Sequence, residues 1–130
     1  MSDQKSRVGS SSKYEDVIGF SRAVRTGNQI FVAGTAAINA DGMTAAIGDV
    51  YGQTVRCFEI VREALHSLDA QMEHVVRTRI YLRDAETWKE AARAHGEVFS
   101  GIKPACTFVE VKGFIDPEWL VEVEVDAVVN

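Results

Sequence analysis

Within the run from Leu120 to Val129, hydrophobic and polar positions alternate from Val121 to Ala127. The alternation sets Val121, Val123 and Val125 on one face and Glu122, Glu124 and Asp126 on the other, which predicts a strand with one covered side. Acids two apart on a strand lie about 6.8 Å from each other, so neighbours repel by roughly 0.6 kcal/mol in water and roughly 2.4 kcal/mol at an effective dielectric near 20. The same period recurs from His74 to Arg83, where Val76, Thr78, Ile80 and Leu82 oppose Arg77, Arg79 and Arg83. Two further strands, Tyr14–Val24 and Gln29–Gly34, flank a Gly27-Asn28 turn. In the second of them Ile30, Phe31 and Val32 follow one another, which predicts cover on both faces. Another strand is expected over Ala105–Val111.

Three- and four-residue spacing takes over from Asp49 to about Leu68, through Tyr51, Val55, Phe58, Val61 and Leu65, predicting a helix capped by Asp49. A second helix is expected from Ala85 to about Phe99. Its apolar stripe is Trp88, Ala91, Ala92, His95, Val98 and Phe99, with Lys89, Glu90, Arg93 and Glu97 opposite. The order ββαβαββ implies an α+β layer: one sheet with two helices on the valine face, the acid and arginine face being left to solvent or another subunit. Residues 1–13 are polar and serine-rich and read as a flexible tail, leaving 14–130 as a single domain.

Composition adds exclusions. The net charge of -5 over 130 residues makes nucleic acid an unfavoured partner, because phosphate neutralisation dominates such binding. No apolar run reaches membrane-spanning length, and no apolar leader core follows the N-terminus. Cys57 and Cys106 lack any metal or disulfide-framework spacing, so reduced thiols, no metal and a cytoplasmic location are expected.

Several ordered motifs then resemble the Rid/YjgF/L-PSP family, with the match running from about Tyr14 to Val129. They are Gly19-Phe20-Ser21-Arg22-Ala23-Val24, Gly27 to Gly34, Arg83-Asp84, Pro104 to Val111, and Val121 to Ala127. The resemblance implies a chorismate-mutase-like subunit in a homotrimer with a central barrel and intersubunit clefts. It also implies cofactor-free hydrolysis of enamines or imines to 2-oxo acids and ammonia. Carried over by residue, it implies Glu124 as the carboxylate that orients water, Phe20 as the cleft aromatic, and Gly34 as a backbone contact. Cys106 stands where deaminase members carry a substrate-binding arginine, and a thiol offers neither that charge nor its forked donors.

Each candidate has a structural counterpart. Glu124 serves equally as a ladder partner of Arg77 or Arg79, while Glu122 and Asp126 read as structural. Arg22 or Arg25 are candidates for the cation that Cys106 displaces, against solvated edge charges. His95 is a candidate ligand contact against a satisfied core histidine. The alternative to deamination is a non-catalytic ligand-binding or regulatory trimer, and ribonuclease activity is the least favoured reading.

Overall fold

A computed structural model of the chain describes residues 5–10 and 12–130. Its strands are β1 (Lys5–Val8), β2 (Ala23–Thr26), β3 (Gln29–Thr35), β4 (Val75–Leu82), β5 (Ala105–Glu110) and β6 (Val121–Val128), and its helices are α1 (Glu15–Ile18), α2 (Val50–Ser67) and α3 (Trp88–Phe99). They form one mixed sheet of order β1-β2-β3-β6-β4-β5, with only β4 and β5 parallel. The α+β layer and its two covering helices are as the periodicity predicts.

The valine ladder forms the centre of the core. Val121, Val123 and Val125 are each 0% exposed, and each such side chain contributes about 1.5–3 kcal/mol by leaving water. Above them α2 packs on β3 and β6 and alongside α3, with the Phe58 and Phe99 rings edge to face at 5.2 Å. Asp49 caps α2 by accepting from the Gly52 amide at 3.1 Å. At the other end Arg25 donates to the Leu68 carbonyl at 2.7 Å, a cation where the helix dipole favours one. Arg25 is therefore committed to the scaffold.

Several expectations are corrected. The tail contributes a sixth strand: β1 pairs antiparallel with β2, Lys5 opposite Thr26 and Val8 opposite Ala23; residues 1–4 and 11 lie outside the described residues. The first expected strand is short, because Glu15–Ile18 turn into a helix that ends on Gly19 at φ 86°, a left-handed conformation glycine adopts without strain. Phe31 is 46% exposed, so β3 has one uncovered face. In β4 a register shift between Val75 and Arg77 buries Val75 and turns Val76 outward, as a bulge does by adding one residue to one strand. On α2 the buried stripe runs through Gln53, Thr54 and Cys57, leaving Tyr51 and Val55 at its edge. Trp88 is exposed at the start of α3.

Candidate functional site

The open sheet face carries the charged ladder. Arg77 Nε lies 3.7 Å from Asp126, and Arg79 Nη1 lies 3.5 Å from Asp126 and 3.7 Å from Glu124. These pairs are partly solvated and worth about 0–1 kcal/mol each. The Tyr81 hydroxyl donates to Glu124 at 2.6 Å, and that bond pushes the Tyr81 phenol upward in pKa. Glu124 is thus occupied by two partners on an open surface.

Glu122, one residue pair along the same strand, meets a different environment. Burial pushes its carboxyl above the usual glutamate range; Arg22 pulls it back and Glu124 adds to the rise. It lines a hollow of about 260 Å³ together with Phe20, Arg22, Gly34, Ile115 and Trp119. A β3–β6 register shift between Val32 and Thr35 brackets Gly34. A Cβ built on Gly34 would stand 2.8 Å from Glu122 Oε1, so glycine is what lets the carboxylate lie against the backbone.

The frame around Glu122 comes from both sides of the sheet. Gln53, buried on α2, accepts from the Leu120 amide at 2.9 Å and donates to the Glu118 carbonyl at 3.0 Å, pinning the chain that enters β6. Trp119 is buried and meets the Tyr14 ring edge to face at 6.2 Å. Arg22 is only 6% exposed. Its Nη1 donates to the Gly34 carbonyl at 2.7 Å and to Thr35 Oγ1 at 3.0 Å, and its guanidinium sits 5.3 Å from the Phe20 ring centre. Burial lowers its pKa while the charges of Glu122 and Glu15 oppose that fall. The Gly34 carbonyl is claimed by Arg22, so at this position the glycine supplies room.

Within one subunit Phe20, Arg22 and Gly34 stand together around Glu122, whereas Glu124, Cys106 and His95 lie outside that hollow's lining. Cys106 is exposed on β5, which β4 and β6 separate from β3. His95 is bonded to Thr78 through Nε2 and Oγ1 at 2.8 Å and lies among Phe58, Phe99 and Phe108, with burial lowering its pKa. Its place is the satisfied core one. Glu122 is the residue that strand periodicity passes over, since it makes every acid of the ladder equivalent. Among the described residues no cluster of metal-ligating side chains occurs, and no helix is long and apolar enough to cross a membrane.

Comparison with known proteins adds the family. The family model described as Endoribonuclease L-PSP matches residues 11–129. An uncharacterized protein of Streptomyces coelicolor is 41% identical over 93% of this chain and 90% of its own length. A RutC family protein of Pyrococcus abyssi is 32% identical over 81% and 82%. A crystal structure of a YjgF/YER057c/UK114 family member from Mycobacterium tuberculosis is similar at TM-score 0.88 and 37% identity, covering 97% of this chain and all of that one. The Escherichia coli YjgF gene product, at 19% identity and TM-score 0.83 over 96% and 99%, shares the fold. This chain belongs to the Endoribonuclease L-PSP family, the Rid/YjgF/L-PSP family its motifs resemble.

Proposed function

We propose that the hollow around Glu122 binds a small imine or enamine and hydrolyses it, with Glu122 in the role that the family resemblance assigns to Glu124. The carrying observation is the half-buried Glu122 carboxyl, raised in pKa and set against Gly34 in a largely apolar hollow. A carboxylate whose pKa is raised toward the working pH is a stronger base and can return the proton as an acid.

An enamine protonated on carbon becomes an iminium. Water attacks the iminium carbon while the Glu122 carboxylate takes a water proton, giving a neutral carbinolamine and a protonated Glu122. That proton passes to the amine nitrogen, and the C–N bond breaks with its electron pair leaving on nitrogen as ammonia. The hydroxyl proton returns to Glu122 and then to solvent as the new carbonyl forms. Phe20 and Trp119 supply apolar walls, and the nearby Arg22 charge keeps Glu122 ionisable.

A homotrimer completes this reading. Phe31 and Val109 are exposed apolar residues on a face otherwise lined by the charged ladder, the composition of a covered surface. A second subunit would bring its own exposed β5, with Cys106, toward the hollow. Light scattering is expected to give three times the 14.3 kDa chain mass; a monomer at micromolar concentration would refute the assembly.

The test of the chemistry is hydrolysis of freshly generated 2-iminopropanoate. Wild type should exceed the free-solution rate, and Glu122→Gln should lose about 10²–10⁴-fold, while Glu124→Gln stays within a few-fold of wild type. The reverse ranking would return the role to Glu124. The departure at Cys106, a thiol where deaminase members carry an arginine, favours a second reading, ligand binding without turnover. Thermal stabilisation by small carboxylates with no rate acceleration would select it.

A further inference from the structure

Arg22 forms a wall of two hollows. Adjoining the Glu122 site, and sharing Ser12, Arg22, Ala36 and Ile38 with it, lies a larger one, about 390 Å³, between the segment that follows β1, the loop after β3 and α2. The Arg22 guanidinium is used on one nitrogen only. Nη1 serves the Ala33 and Gly34 carbonyls and Thr35 Oγ1, whereas Nε is buried with no hydrogen-bond partner and Nη2 makes no hydrogen bond among the described residues. A buried N–H without a partner costs about 1–3 kcal/mol. Nε and Nη2 together form the forked edge that matches the two oxygens of a carboxylate.

Charge decides which hollow such an anion would enter. In the smaller one Glu122 stands beside Arg22 and partly meets its charge, so a carboxylate there shares the guanidinium with Glu122. The larger one sets a second guanidinium there: Arg56 is fixed at its wall by donation from Nε to the Ile38 carbonyl at 2.9 Å, and its Nη1 meets Glu59 at 3.2 Å. Glu63 is the acid in its lining and makes no ion pair with either arginine among the described residues, and Glu15 is held at the Ser10 wall, accepting from the Ser10 amide and hydroxyl at 2.9 Å. The rest of the wall includes Val8, Ile38 and Ile60, apolar surface suited to a short hydrocarbon body.

We infer that this second hollow is a binding site for a short aliphatic carboxylate, held by the Nε–Nη2 edge of Arg22 and by Arg56. The site stands on the geometry of the two arginines and does not depend on whether the Glu122 hollow turns over imines. Arg22 supports the fold, so the test leaves it in place. Calorimetric titration of the full chain with 3-methylbutanoate, and with the uncharged 3-methylbutanamide as control, is expected to show binding of the acid alone. Arg56→Gln should weaken it about tenfold, the loss of one charged hydrogen bond. Ser67→Phe, which sets a ring in the wall of the larger hollow, should abolish it, and Ile115→Trp, at the exposed rim of the smaller one, should leave it unchanged. Equal binding of acid and amide, no binding of either, or loss in Ile115→Trp with retention in Ser67→Phe would each overturn the inference; the last would put the carboxylate beside Glu122.

Discussion

Glu122 and Glu124 occupy one strand and successive positions of one face, yet they meet different surroundings. Glu124 sits opposite Arg79 and accepts from Tyr81 on a face open to solvent, so its charge is compensated and its geometry is fixed by partners. Glu122 sits opposite Tyr81 in register, but its carboxyl leans against Gly34, where β3 shifts register and sheds a side chain. Burial acts there, and the Arg22 charge offsets part of it. What differentiates two chemically identical groups is thus the backbone of the adjacent strand.

The comparison can be broken in several ways. The largest separation expected is the one between Glu122→Gln and Glu124→Gln in imine hydrolysis. Next comes Gly34→Ala, whose methyl would meet Glu122 Oε1 at 2.8 Å; displacing that carboxylate should reduce the rate about 10²-fold, the cost of a misplacement near 1 Å. A rate within twofold of wild type would show that the close approach is dispensable.

Stability should separate the two acids as well. The folded pKa of Glu122 is raised, so the native state holds this proton more tightly than the unfolded chain. Its contribution to stability is then greatest below the unfolded glutamate value and is lost as pH rises through the higher folded value. Denaturant unfolding across that window should show wild type losing stability with rising pH more steeply than Glu122→Gln; parallel curves would remove the desolvation argument. The smallest effect is expected on the other side of the comparison. Tyr81→Phe deletes a partly exposed hydrogen bond to Glu124, and should lower unfolding free energy by about 0.5–1.5 kcal/mol while leaving the hydrolysis rate unchanged.

The parts of this fold governed by period were legible in the chain. The β6 alternation gave the buried valine face residue for residue, and the Asp49 cap marked the start of α2. What escaped depends on a partner. Lys5–Val8 has no pattern of its own and is a strand because the edge of β2 accepts it. Four residues of α1 are too few to show a helical period. The bulges at Val76 and Gly34 exist only relative to β6, so nothing in their own segments announces them. The sequence left Arg22 between a cleft cation and an edge charge, because burial of its guanidinium is set by Gly34 and Thr35, twelve and thirteen positions away. The hollow inherits this: Phe20, Arg22 and Gly34 stand in motifs, but the difference between Glu122 and Glu124 comes from the strand beside them.

The clasp of Arg25 on the Leu68 carbonyl reaches beyond a capped helix. It fastens the last turn of α2 to the β2–β3 hairpin, two segments forty-three positions apart. Opening either segment breaks this bond, so local unfolding of one is coupled to that of the other. Hydrogen exchange at the α2 C-terminus and in the hairpin should therefore quicken together in Arg25→Ala.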